Sequence, residues 1–141
     1  ITAGNVTLTL TTNHPSGPCP AVNDAMTITI NLAATVNAGP DQTVCSSSPT
    51  VTLAGSIGGG ASSATWSGGA GTFNPNNTTL TAMYTPSAGE ITAGTVTLTL
   101  TTNDPSGPCP AVNDAMTITI NAAATVNGQG ALELLIQMLT H

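Results

Sequence analysis

A histidine and a cysteine five positions apart, His14 and Cys19, are the first residues in the chain whose types could do chemistry. An imidazole near a thiol can activate a nucleophile, and the two side chains can also bind a metal ion. A second copy of this stretch keeps the cysteine, as Cys109, but has Asp104 in place of the histidine. The position accepts either side chain, so we predict a solvated loop residue at His14.

Oxygen-bearing side chains provide a second candidate site. Four of them flank one loop, and a fifth lies at a repeat junction: Asn103, Asp104, Asn113, Asp114 and Asp41. Such groups are the ligands that Ca²⁺ prefers, but the dense alternation of acidic residues typical of calcium loops is missing. Turn capping explains the same residues. General acid-base catalysis needs paired, perturbed groups in a cleft, which scattered carboxylates do not supply. We therefore predict no metal, no cofactor, no catalytic residue and no enzyme.

The three cysteines are the remaining reactive groups. One complete repeat contains Cys45 and Cys109, and a bond between them would close a loop of roughly 65 residues, which stabilises a fold by about 4 kcal/mol on the chain-entropy model. Such a disulfide requires an oxidising, extracytoplasmic compartment. Cys19 would then be unpaired or bonded to a cysteine elsewhere, in its own repeat or in another chain. The alternative is three reduced, buried thiols.

These candidates sit on a repeated sequence. Residues 1–37 recur as residues 91–127 with only three differences, which are Asn5/Thr95, His14/Asp104 and Leu32/Ala122. A fixed period indicates an array of like modules. We divide the chain into a partial repeat over residues 1–37, a complete repeat over 38–127 and an apolar, non-repeat tail over 128–141.

Composition limits the partners of the chain. It has no Lys or Arg and a formal net charge of −6, so it lacks the cations that neutralise nucleic-acid phosphates or attract anionic membranes. No apolar run approaches the roughly 20 residues that span a bilayer. We predict no nucleic-acid binding and no membrane insertion. At 40% apolar and 4% charged residues, the chain should fold.

The complete repeat has the pattern of an all-β sandwich. Short strands are predicted at residues 42–45, 50–54, 64–67, 72–73 and 80–85, each bounded by Gly, Pro, Asn or Ser. Two longer strands alternate apolar residues with threonine, as half-buried strands do. The predicted core residues are Trp66, Tyr84, Val96, Leu98, Leu100, Met116, Ile118 and Ile120.

Three stretches carry a resemblance to a known family: NAGPDQTVC, TWSGGAGTF and MYTPSAGEITAGTVTLTLTTNDPSGPCPAVNDAMTITI. With Trp66 on the third strand, they resemble the tandem immunoglobulin-like, PKD-like repeats of large bacterial cell-surface adhesins. The resemblance covers residues 1–127. It implies an immunoglobulin-like antiparallel sandwich, an extracellular location at the cell surface, and a stalk or filament without catalytic residues.

The partial repeat supplies only the last two strands of a sandwich. An isolated hairpin is marginal in water, so its apolar face must be buried, against the chain's own module, against a neighbouring chain or by completing a partner's sandwich. We predict association with copies of the chain through β edges or strand complementation. The tail, which we expect to be a short helix, is a second apolar surface that could dock as a cap or an interface. The predicted assembly residues are Val6, Leu8, Leu10, Met26, Ile28, Ile30, Leu132, Leu135, Ile136 and Leu139.

A ligand-binding module is the alternative function. One face or loop set of the sandwich would bind a cell-surface or environmental ligand, either a glycan or a ligand held through Ca²⁺. Carbohydrate sites usually present aromatic platforms, and Trp66, Phe73 and Tyr84 are the only aromatic residues of the chain. All three fall on predicted strands of the core.

Overall fold

A computed structural model describes residues 2–14, 16–105, 107–126 and 128–140, with the side chains of the last segment described from residue 134 onward. The fold is mostly β, with several sheets, as the alternating patterns predict. Two short helices complete it. The predicted extra hairpin and the helical tail are both present.

The N-terminal hairpin consists of β1 (Gly4–Thr11) and β2 (Asn23–Ile30). The two strands are antiparallel, and Leu8 lies opposite Met26 while Val6 lies opposite Ile28. Threonines pair with one another on the other face, as with Thr7 and Thr27. Strict alternation therefore gives this two-stranded sheet one apolar and one hydroxyl-bearing face.

In the described part of the chain, nine strands follow the hairpin. They are β3 (Ala34–Asn37), β4 (Gln42–Cys45), β5 (Val51–Thr52), β6 (Ser56–Gly59), β7 (Ala64–Ser67), β8 (Thr72–Asn74), β9 (Met83–Thr85), β10 (Thr95–Thr102) and β11 (Asn113–Asn121). Helix α1 (Ala88–Ala93) lies between β9 and β10, and α2 (Gly128–Leu139) follows the last strand.

The strands from β3 to β11 form two layers. One layer is a four-stranded sheet in the order β4-β11-β10-β7, in which β4 runs parallel to β11 and the other pairs are antiparallel. The other layer contains the sheets β5-β9-β8 and β3-β6. In the stretch between β5 and β6, the backbone N–H groups of Leu53 and Gly55 donate to the carbonyl oxygens of Ala82 (2.9 Å) and Leu80 (3.1 Å). These bonds extend the β5–β9 pairing toward β6.

The core lies between these layers. All eight predicted core residues are buried, and Trp66, Tyr84, Leu98, Leu100 and Ile118 have no solvent exposure. The indole Nε1 of Trp66 donates to the carbonyl oxygen of Leu80 at 3.3 Å, so the tryptophan is buried without leaving its polar group unsatisfied.

Two strands, β3 and β6, were not predicted from the sequence. The glycines of residues 58–60 indicated a turn, yet β6 extends through Gly59 and pairs with β3. Glycine is required here because β3 runs very close: a Cβ at Gly58 would lie 2.9 Å from Oγ1 of Thr35, and one at Gly59 would overlap the carbonyl oxygen of Ala33. This pairing also joins the last residues of the partial repeat to the complete one.

Helix α1 was likewise not predicted, although its boundaries have clear sequence signals. Ser87 is the N-cap, and its hydroxyl accepts from the backbone N–H of Glu90, whose own carboxylate accepts from the N–H of Ser87. This reciprocal pair is a capping box. Gly94 ends the helix in the left-handed conformation, with φ of 80°.

Two glycines at α1 should respond in opposite directions to alanine. Gly94→Ala should lower the free energy of unfolding by about 1 kcal/mol, since the left-handed conformation penalises a Cβ, although the nearest atom, the carbonyl oxygen of Ile120, would lie at a comfortable 3.5 Å. Gly89→Ala should raise it by about 0.5 kcal/mol, because Gly89 is helical and a Cβ there would meet only Oγ of Ser87 at 3.9 Å. Denaturant unfolding measures both; equal effects in the same direction would contradict the assignment of the C-cap.

Candidate assembly surface

The apolar face of the N-terminal hairpin is the candidate functional surface. We call it the hairpin face and define it by the six side chains Val6, Leu8, Leu10, Met26, Ile28 and Ile30. Ile30 is partly buried, and the other five are between 41% and 79% exposed. Contiguous exposed apolar side chains of this kind are typical of interaction surfaces.

The repeat shows what such a face packs against when it is covered. Each of its six residues has an identical residue 90 positions later on β10 or β11, and all six of those are buried. Leu8 is 50% exposed, for example, whereas Leu98 is 0% exposed. The covering residues come from the opposite layer and from β7, including Leu53, Tyr84 and Trp66. The hairpin face thus has the surface of one half of a sandwich.

Polar contacts of the two copies separate into local and long-range ones. The local pair is the same in both: the N–H of Thr12 donates to the oxygen of Val22 at 2.9 Å, as Thr102 does to Val112. The long-range one differs. Asp114 accepts from the backbone N–H of Ala38 at 2.8 Å, whereas its equivalent Asp24 accepts from its immediate neighbour. The two copies thus share this local bond, whereas the long-range bond of Asp114 is replaced by a local one at Asp24.

Both edges of the hairpin are also available. In the complete repeat, β10 and β11 each have a second neighbour, β7 and β4 respectively. Across the described residues, β1 and β2 pair only with each other. Unpaired backbone N–H and C=O groups at such edges can accept another strand.

The helical tail is the second predicted assembly segment. Its described side chains are solvent-exposed, with Leu135 at 54%, Ile136 at 51% and Leu139 at 78%. The side chain of Leu132 lies outside the described residues. Leu134 and Met138, which the sequence prediction omitted, are exposed as well. The helix presents apolar residues without any described cover.

Inside the module, one polar network surrounds Tyr84. Its hydroxyl donates to both carboxylate oxygens of Glu90 at 2.9 Å and accepts from the N–H of Gly71 at 2.9 Å. Burial, together with the hydrogen bond and charge of Glu90, raises the pKa of Tyr84 to about 12. Burial also acts to raise the pKa of Glu90, but bonds from Ser87, Ala70 and Tyr84 outweigh it and leave that pKa lowered. The Tyr84 hydroxyl thus both donates and accepts hydrogen bonds, and its bonds to Glu90 connect α1 to the core.

The aromatic residues offer no open platform for a sugar. Trp66 and Tyr84 are completely buried, and Phe73 packs on Tyr84 with ring centroids 4.8 Å apart. These rings belong to the core.

Three of the five residues considered as calcium ligands, Asn103, Asp41 and Asp114, accept hydrogen bonds from backbone amides. Asn103 accepts from Ser62 and Ser63 at 2.9 and 3.1 Å, and Asp41 accepts from Thr117 at 2.7 Å. Among the described residues, no three His, Cys, Asp or Glu side chains are grouped so as to hold a metal ion. Each of these bonds joins segments that are far apart in the sequence.

The three cysteines are free thiols. Cys45 pairs with Asn121 at the end of β11, whereas Cys109 precedes the start of that strand. At about 3.3 Å per residue, β11 is roughly 26 Å long. Cys45 and Cys109 lie near its opposite ends, whereas the Cα atoms of a disulfide lie roughly 4.4–6.8 Å apart. The predicted Cys45–Cys109 bond within one module is not formed in this structure. Cys19 is exposed in the hairpin loop.

His14 is an exposed residue of the same loop, and its repeat equivalent Asp104 is exposed in the loop of the second hairpin. No helix in the described part of the chain has both the length and the apolar character needed to cross a membrane. A scan against protein-family models and a search of curated proteins each found no match to this chain.

Proposed function

We propose that this chain is a non-catalytic structural module or subunit of an extracellular bacterial adhesin or filament, built from immunoglobulin-like repeats. The observation that carries the proposal is the hairpin face. It duplicates, residue for residue, a face that is buried in the complete repeat, so its natural cover is the opposite layer of a like module.

The strand order supports an immunoglobulin-like module. In such a sandwich, strands A, B, E and D form one sheet while C, F and G form the other. Taking β3 as A, β5 with β6 as B, β9 as E and β8 as D gives the first sheet; β7, β10 and β11 then correspond to C, F and G. With this assignment, Trp66 lies on the strand that corresponds to C, which supports the proposal.

Energetics favour a covering layer that is tethered to the hairpin. Full burial of one such side chain is worth about 1.5–3 kcal/mol, so six half-covered residues would gain roughly 5–9 kcal/mol. Association of free partners costs a comparable amount in lost translational and rotational freedom. Modules in one array largely avoid that cost, because their effective concentration is high.

Exchange between identical chains is a second route to cover, but it has a fixed stoichiometry. Each chain contains two hairpins and one covering layer, so complementation of one chain by another leaves one apolar face per chain open. Separate chains should therefore continue to associate, through that face and the open strand edges.

Association of the full chain is the test. Leu8→Asp places a charge on the hairpin face and should keep the protein monomeric, whereas the wild type should form larger species as its concentration rises. Thr7→Asp is the matched control, since it adds the same charge one residue away on the opposite face and should associate as the wild type does. Sedimentation velocity gives the sizes, and electron microscopy distinguishes fibres from separate particles. A wild type that stays monomeric at micromolar concentration would contradict self-assembly.

A further inference from the structure

The sulfur of Cys109 lies against the partial repeat. Its Sγ is 3.8 Å from the carbonyl oxygen of Asn31, the residue that follows β2. The same loop approaches Asn31 through Gly107, where a Cβ would overlap the Asn31 side-chain amide. Gly107 also has φ of 92°, which favours glycine. The loop between β10 and β11 thus forms the contact with the end of the preceding repeat.

The repeat equivalent of Asn31 is Asn121, which lies within the complete module. Asn121 pairs with Cys45 in the parallel ladder of β11 and β4. Its carbonyl oxygen accepts from the N–H of Ser46, the next residue, at 2.8 Å. Cys109 thus approaches the carbonyl oxygen of Asn31. The equivalent oxygen in the complete module, that of Asn121, is bound by Ser46, which directly follows Cys45.

We infer that Cys109 forms a disulfide with the cysteine at the Cys45 position of the preceding repeat, so that the bond joins two consecutive modules. This inference rests on the proposed array of like modules. Neighbouring strands lie about 4.8 Å apart, so the preceding repeat's cysteine, paired with Asn31, would lie beside that residue. Cys109 contacts the Asn31 carbonyl from the other module. The two cysteines would therefore lie at about the distance that a disulfide requires. By the same rule, the partner of Cys19 lies one repeat before its own module.

The surroundings of Cys45 suit this reaction. Its side chain is exposed, and its Sγ is 3.1 Å from the hydroxyl of Ser47. Hydrogen bonds from Ser47 and Ser46 outweigh a small opposing effect of burial and lower the pKa of the thiol. A lower pKa increases the thiolate fraction, and the thiolate is the nucleophile in disulfide exchange.

The oxidant that the bond requires is a small-molecule disulfide such as oxidised glutathione. The Cys45 thiolate attacks one sulfur of it and expels a thiolate, forming a mixed disulfide. The Cys109 thiolate of the next module then attacks the Cys45 sulfur and expels the second small thiolate. The two protein thiols lose two electrons and two protons in total, and one small disulfide becomes two thiols.

The test uses the full chain lengthened by a second copy of residues 38–127 inserted after Asn127, so that it contains one complete junction. After equilibration with a glutathione buffer at low protein concentration, the thiols that remain are counted by mass after maleimide labelling in denaturant. We expect three of its five cysteines to react, because one intrachain disulfide has formed.

Copy-specific variants identify the bonded pair. Cys45→Ser in the first copy and Cys109→Ser in the second copy should each abolish the disulfide. The matched controls, Cys45→Ser in the second copy and Cys109→Ser in the first, should leave it intact. A folded wild-type chain with all five thiols reactive, or a bond that persists in the first pair of variants, overturns the inference.

Small-angle scattering of the reduced, lengthened chain keeps the two proposals distinguishable. An elongated particle with modules in line, combined with no disulfide after oxidation, overturns the disulfide alone and leaves the array intact. Modules that do not align in the reduced chain contradict the array itself, and the inference falls with it.

Discussion

Leu98→Ala should lower the free energy of unfolding by about 3–5 kcal/mol, whereas Leu8→Ala, the same substitution at the same repeat position, should change it by about 1 kcal/mol or less. Leu98 is completely buried between the two layers, so truncation removes transfer free energy and also leaves a cavity. Leu8 remains half-exposed, and substitutions at exposed sites usually have small effects. The two leucines have nearly identical sequence neighbours, so the difference isolates the effect of the covering layer.

Denaturant unfolding followed by Trp66 fluorescence measures this pair, because Trp66 is the only tryptophan and lies in the core. The measurement should be made at dilutions where the chain is monomeric. Leu8→Ala should then reduce association at high concentration, where Leu8 contributes to contacts between copies. Equal losses of stability for the two variants in the monomer would show that the hairpin face is already covered.

Glu90→Gln should destabilise the module by about 2 kcal/mol near neutral pH. The carboxylate of Glu90 accepts from the backbone N–H groups of Ala70 and Ser87 and from the hydroxyl of Tyr84. Glutamine offers one acceptor oxygen and turns an amino group toward another donor, so a donor in a partly buried site loses its partner; such losses cost about 1–3 kcal/mol. Thermal or denaturant unfolding measures the difference.

The same variant should remove part of the acid sensitivity. The pKa of Glu90 is lower in the folded protein than its ordinary value of 4.5, so its contribution to stability is fully present above that value and is lost as the pH falls through the folded pKa. The stability difference between the wild type and Glu90→Gln should therefore shrink below about pH 4.5. Tyr84→Phe is the companion control, since it removes one donor to Glu90 but keeps the titrating carboxylate. A difference that is independent of pH would contradict this assignment.

The sequence predicted the parts of this fold that depend on local alternation. The bounds of β4 and β7 match the predicted strands, and the apolar positions of β10 and β11 are all buried as expected. Here the side-chain pattern itself determines which face is covered. The hairpin face followed from the same pattern, because its residues repeat those of β10 and β11.

Long-range pairing was beyond the sequence patterns. The glycines of β6 have the composition of a turn, and only the approach of β3 gives them the geometry of a strand. Helix α1 is six residues long, which is too short to show a repeating helical pattern of apolar residues. Its N-terminus is nevertheless marked in the sequence by the capping pair Ser87 and Glu90. The predicted cysteine pairing is not formed in the structure, and spacing along the chain could not reveal that Cys45 and Cys109 lie near opposite ends of β11.

The parallel pairing of β4 and β11 has a mechanical consequence. β4 lies near the start of the module and β11 near its end, so tension applied through the chain termini pulls these two strands along their length in opposite directions. Their hydrogen bonds then bear the load together in shear, whereas an antiparallel terminal pair would open one bond at a time. Resistance to a pulling force depends on the rate of such unfolding. In a stalk made from this module, the four residues of β4 would therefore set the resistance to a pulling force. That resistance depends on the barrier to unfolding, which equilibrium stability does not measure.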